Sequence, residues 1–231
     1  MISNLPMYVN IVFILTTLLT VFLFYKAGSR SKISLCILVL WLLLQAVLSY
    51  TGFYMVTNTT PPRFVLLALP AVLLIIFLFI TAKGRAYINS LDAKTLTLLH
   101  AVRVPVELCL YWLFLHKSIP QLMTFEGRNF DILAGLTAPV IFYFGYVKNS
   151  RGKTVLLLWN FICLGLLVNI VVNAVLSAPS DFQQFAFEQP NTAILYFPFV
   201  WLPCCVVPLV LLAHLVCICK LLLQNNQTNQ L

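Results

Sequence analysis

An all-α transmembrane helical bundle of about seven spans is the fold class this 231-residue sequence predicts, on three observations. Hydrophobic residues make up 61% of the chain and charged residues 9%, whereas a water-soluble surface needs roughly 25–35% charged residues. The apolar residues gather into seven stretches, most of them near the ~20 residues that carry a helix across a hydrocarbon core. The basic residues sit between those stretches, biased to alternate connections.

The stretches run 7–25, 33–56, 64–82, 96–116, 132–147, 154–176 and 194–222, the fifth short and the last long. The first follows a start, Met1 to Pro6, with no basic residue, and it ends in Tyr25-Lys26 instead of a small-residue cleavage site. It therefore reads as a retained span and not as a secretory leader. Each break holds turn or helix-stop residues, as in Lys26-Ala27-Gly28-Ser29-Arg30 and Thr59-Thr60-Pro61-Pro62-Arg63. Pro198, Pro203 and Pro208 predict a kinked or partly unwound seventh span. Residues 1–223 form one transmembrane domain on this reading, and 224–231 a short polar, disordered cytoplasmic tail.

Orientation follows from the basic residues. Lys26, Arg30, Lys32, Lys83, Arg85, Lys94, Lys148, Arg151, Lys153 and Lys220 fall on one side, against Arg63, Lys117 and Arg128 on the other. That bias predicts an N-terminus outside and a C-terminus in the cytoplasm. It also accounts for the net charge of +8 without nucleic acid, because the charge forms short clusters between apolar runs and no basic face. The expected partner is the lipid bilayer. All seven cysteines lie inside apolar runs, which predicts packing roles and no disulfide framework.

The fourth stretch carries the sharpest chemical signal. His100, Arg103, Glu107, Tyr111 and Phe114 recur at three- and four-residue intervals, placing them on one helix face. Glu107 falls mid-span, where a charge costs at least about 2.5–3.5 kcal/mol by insertion scales. Arg103, one turn earlier, is the nearest candidate to neutralise it, and Pro105 between them frees a backbone carbonyl. Two readings stay open: a pair that locks helix packing, or a site for a small polar ligand or a proton.

Asn169 and Asn173 in the sixth span and Trp201 in the seventh are further ligand candidates, with interhelical hydrogen bonding as their alternative role. In the outer loops Glu126, Arg128 and Asp131 form a second candidate set that could attract a cation, or pair locally. His100 and His214 approach one depth from the same side, yet no short ligand-rich spacing surrounds them. No metal or other cofactor is expected, and neither a phosphate loop nor a serine elbow is present.

The segments His100-Ala101-Val102-Arg103-Val104-Pro105-Val106-Glu107, Met123-Thr124-Phe125-Glu126-Gly127-Arg128-Asn129-Phe130-Asp131 and Gln189-Pro190-Asn191, with Phe197-Pro198 and Trp201-Leu202-Pro203, resemble a family of uncharacterised bacterial polytopic membrane proteins. The resemblance covers the second half of the chain. It implies a multi-pass protein of a bacterial inner membrane and no assigned activity. The expected function is binding or transport of a small ligand or proton through a polar pocket centred on the fourth span. The rivals are an intramembrane enzyme on a lipid or isoprenoid substrate, with Glu107 as acid or base, and a structural subunit of a membrane complex.

Overall fold

The computed structural model describes residues 2, 5–57, 59–148 and 152–228, with side chains as far as Leu223. Asn58, Arg151 and the last three residues of the expected tail lie outside that set. Among the described residues the secondary structure is entirely helical. The principal helices are α1 (Met7–Ala27), α2 (Lys32–Tyr50), α3 (Val65–Ile80), α4 (Ala82–Ser90), α5 (Ala93–Leu99), α6 (Arg103–Leu115), α7 (Ile132–Phe142), α8 (Lys153–Leu176) and α9 (Val207–Thr228). The backbone of α9 thus runs past residue 224, where the tail was expected to begin.

Five helical runs are long and apolar enough to cross a membrane: 7–27, 32–50, 93–115, 153–176 and 202–223. A sixth is reached if α3 and α4 count together, although they meet at 96°. That bend has a local cause: Thr81 leaves α3 with extended backbone, and its hydroxyl accepts the Gly84 N–H at 3.1 Å, capping a new helix. The remaining apolar stretch, Ile132–Val147, is helical but shorter, about 24 Å at 1.5 Å per residue against a core of about 30 Å. It starts where it does because Asp131, immediately before it, is held inside the bundle by Arg103.

Leu15, Phe22, Leu40, Leu73 and Phe77 are exposed on α1 to α3, the composition of a lipid-facing wall. Buried Thr16, Thr17 and Thr20 satisfy their hydroxyls on carbonyls four residues back, so α1 buries no unpaired hydroxyl there. At the centre stands the fourth run: α5 packs on α1, α7 and α9, and α6 on α1 and α7. A 3₁₀ turn, His100–Val102, joins α5 to α6. Pro105 lacks an N–H and its ring crowds the carbonyl four residues back, Ala101, so the helix tightens at that turn.

The prolines of the last span act as expected. The run opens with a π-helical segment, Leu202–Val206, and becomes α-helical only at Val207. Pro208 has no N–H for the Cys204 carbonyl, and the Trp41 indole supplies the missing donor at 2.9 Å. A second π segment, Tyr143–Val147, closes α7.

The turn that launches the central run makes a pH-dependent contribution. Asp92 caps α5, accepting the Thr95 hydroxyl at 2.6 Å and N–H groups from Thr95 (3.0 Å) and Lys94 (3.4 Å). Partial burial raises its pKa, but these hydrogen bonds and the Lys94 charge outweigh burial and hold it below the ordinary 3.8. A lowered folded-state pKa stabilises above the unfolded value and is lost as pH falls through the folded one. Acid titration below pH 3.8 should therefore loosen α5, and Asp92→Ala should cost about 0.5–2 kcal/mol at neutral pH and flatten the acid limb of a thermal-stability profile.

Candidate functional site

The geometry overturns the expected pairing of Arg103 with Glu107. Arg103, 2% exposed, donates from Nε to Asp131 Oδ2 at 2.6 Å and from Nη2 to Asp131 Oδ1 at 2.5 Å. This fork-to-fork pair is the strongest geometry available to a guanidinium and a carboxylate. The remaining donors reach His214 Nε2 (3.1 Å) and the Cys163 carbonyl (3.3 Å). Asp131, expected in the outer loop among exposed acids, is 5% exposed. Both acids offer two coplanar oxygens, but Asp131, just before α7, presents its pair to the guanidinium fork, while those of Glu107 face Asn129.

The His214 ring state follows from its neighbours. Arginine has no acceptor, so Nε2 of His214 must accept from it. The proton then sits on Nδ1, which donates to Asn160 Oδ1 at 2.9 Å, while Asn160 donates to the Leu156 carbonyl at 2.9 Å. His100 stacks on His214 with centroids 3.8 Å apart and an interplanar angle of 21°, and meets Trp159 edge-on at 5.5 Å. The shared depth expected of the two histidines is thus observed. Neither His100 ring nitrogen has a hydrogen-bond partner although the residue is fully buried.

Glu107, 1% exposed, receives both its hydrogen bonds from one group: Asn129 Nδ2 lies 2.7 Å from each carboxylate oxygen. The same amide also donates to the Met123 carbonyl at 3.0 Å, so two N–H bonds serve three acceptors. Asn129 Oδ1 accepts the Asp131 N–H at 3.0 Å, a local turn that ties the two acids together. Among the described residues, Arg103–Asp131 is the sole salt bridge, so Glu107 has no basic residue in ion-pairing contact.

Two glycines allow this arrangement. A Cβ on Gly135 of α7 would lie 2.8 Å from Val104 Cγ2, 2.9 Å from Val104 N and 3.2 Å from Arg103 Cβ. Its absence lets α7 lie against the fourth run where Asp131 must reach Arg103. A Cβ on Gly127 would lie 2.3 Å from the Gln121 carbonyl oxygen and 2.6 Å from Leu122 Cα. That close crossing folds the loop after α6 back into the bundle, carrying Asn129 with it. Asn129, Asp131 and His214 were outside the central set that the sequence suggested; the pattern Asn129-x-Asp131 beside a helix start was the available signal.

The other candidates are dispersed. Tyr111 is turned to Glu126, and its ring packs on Phe125 at 5.0 Å. Arg128 covers the Phe185 ring at 5.6 Å, and its carbonyl accepts the Asn169 amide at 2.8 Å. Asn173 turns back on Asn169 within α8. Trp201 donates to the Leu42 carbonyl at 3.0 Å. These side chains join loops and helices and form none of the hydrogen bonds around Arg103 or Glu107. The loops 117–131 and 177–193 are themselves joined, since Thr192 and Ala193 donate to the Ser118 carbonyl. Among the described residues no three His, Cys, Asp or Glu side chains cluster as a metal site.

Glu107 and Asp131 share the wall of a cavity of about 360 Å³. Its other walls are apolar: Leu67, Ala68 and Val72 of α3, Leu110 of α6, Leu167, Ile170 and Val171 of α8, and Leu202 and Pro203 of the π segment. Glu107 and Asp131 are thus the acidic residues beside an otherwise apolar space.

Residues 60–222 match a family described as a domain of unknown function (DUF8737). No curated protein and no solved structure matches the chain.

Proposed function

We propose, for a chain that belongs to the DUF8737 family and so takes no chemistry from its relatives, that it is a membrane protein that binds or carries a small ligand or a proton at Glu107. One observation carries the reading. A carboxylate 1% exposed, served by one shared amide and no cation, faces a cavity of about 360 Å³. In hydrocarbon such a charge is costly, and a proton or the cationic group of a ligand removes the cost. Because the rest of the cavity is apolar, the ligand class is a small molecule with one amine-like head and an apolar body.

The Arg103–Asp131–His214–Asn160 network holds the framework on this reading, and Glu107 is the working group. Its polar chemistry is confined to one wall, narrower than the polar pocket expected from the fourth-span stripe. The orientation proposed is N-terminus outside, on the bias of basic residues. The location proposed is a bacterial inner membrane, on the resemblance read from the sequence segments between His100 and Pro203.

Glu107→Gln tests the proposal, because glutamine keeps the shape and removes the charge. Short alkylamines should raise the unfolding temperature of the purified parent by mass action, and matched alcohols should not. The variant should fold with stability within about 1 kcal/mol of the parent, since its amide can still accept from Asn129, and lose the amine response. A proton carrier would instead show dye-reported proton flux in vesicles that the variant lacks. Equal behaviour of parent and variant in both assays would end the proposal.

A further inference from the structure

We propose that the groove between α2 and α3 holds one anionic phospholipid, with an acyl chain along its length and the phosphate at the Ser34–Tyr87 pair. The groove has a volume of about 660 Å³ and shares no lining residue with the Glu107 cavity. Its dimensions match a single leaflet. On α2 the lining runs from Ser34 to Leu44, about 15 Å at 1.5 Å per residue, half of a hydrocarbon core about 30 Å thick. On α3 it runs from Pro70 to Leu78, about 12 Å by the same rise.

Chemistry along the groove is sorted in the same way. The shaft is apolar, and its one indole N–H, on Trp41, is already given to the Cys204 carbonyl. Polar groups occur at one end, where Ser34 Oγ and the Tyr87 hydroxyl lie 3.2 Å apart and Ser34 Oγ in turn donates to Ser31 Oγ at 3.2 Å, a hydroxyl chain that a phosphate would enter by taking over one of these bonds. Lys32 stands two residues before Ser34 and Lys83 one helical turn before Tyr87, both exposed. Neither is in an ion pair, the one described salt bridge being Arg103–Asp131. Arg85 is spent on the Phe79 and Ile80 carbonyls, and Asp92 on capping α5. An acyl-length apolar slot opening at two hydroxyls, with Lys83 on the Tyr87 face of α4 and Lys32 at the start of α2, is complementary to a headgroup of net negative charge; a zwitterionic headgroup carries its own cation beside the phosphate.

Trp41 in the groove wall reads the test. The full chain is reconstituted in phosphatidylcholine vesicles containing either phosphatidylglycerol or phosphatidylcholine with brominated acyl chains, and the Trp41 signal is isolated by difference against Trp41→Phe. At equal mole fraction the brominated phosphatidylglycerol should quench Trp41 more strongly. The double variant Lys32→Gln/Lys83→Gln, which changes exposed residues alone, should lower that preference about fivefold or more. Ala71→Phe, which fills the shaft, should reduce quenching by both lipids at unchanged helical circular dichroism. Equal quenching by the two lipids, a preference that survives loss of both lysines, or full quenching in the filled groove overturns the proposal. Glu107→Gln should leave the lipid preference intact, so failure at one site is separable from failure at the other.

Discussion

Arg103→Met will destabilise the protein by about 3–5 kcal/mol, the range for removing one partner of a buried ion pair. The loss arises because Asp131, 5% exposed, keeps its charge with neither of its two guanidinium bonds, while His214 Nε2 and the Cys163 carbonyl each lose a donor. The double variant Arg103→Met/Asp131→Leu should recover much of this, because the uncompensated charge is gone and both sites are apolar. Recovery will be incomplete, since an unsatisfied His214 nitrogen still costs about 1–3 kcal/mol. Thermal or denaturant unfolding of the purified single and double variants gives the coupling directly. If Arg103→Met and Asp131→Leu prove additive, the pair is not the keystone of the fourth run.

Gly127→Ala is expected to cost about 1–3 kcal/mol and, more informatively, to disturb the site at a distance. Its new methyl would sit 2.3 Å from the Gln121 carbonyl oxygen and 2.6 Å from Leu122 Cα. Backbone cannot rotate aside as a flexible side chain can, so the loop must move. The moving segment carries Asn129, the single donor to Glu107, and Asp131, the partner of Arg103. Unfolding measurements should show the loss, and the alkylamine response proposed for Glu107 should weaken with it. A variant that matches the parent in both would show that the 121–131 crossing has slack the distances do not suggest.

Much of the fold could be read from hydropathy because a bilayer imposes one length and one satisfied backbone geometry on every crossing segment. The apolar stretches all contain helix, and the clustered prolines of the last span do unwind it. Where expectation and structure part, the departures fall at local turns and helix ends. Helix α2 stops at Tyr50, short of the expected 56, and the next residues form a 3₁₀ turn, Phe53–Met55. The 64–82 stretch ends in the Thr81 cap and its sharp turn into α4. The last run becomes a continuous helical span from Leu202, not 194.

The charged face of the fourth span was equally visible, since His100, Arg103 and Glu107 recur at helical spacing and are all buried. Which group each of them meets was not. Spacing along one helix ranks Arg103 and Glu107 as neighbours, and nothing local announces a carboxylate 28 residues away.

The sequence by itself thus determined an all-helical membrane bundle and the span on which its buried charges lie, because hydropathy and helical period are local properties. Tertiary structure alone decided the partners: Arg103 with Asp131 and His214, Glu107 with Asn129, and an apolar cavity in front of the two acids. Those choices depend on how closely backbones approach at Gly127 and Gly135. In a medium that offers no water to an unpaired charge, the nearest correctly shaped partner in space wins over the nearest in sequence.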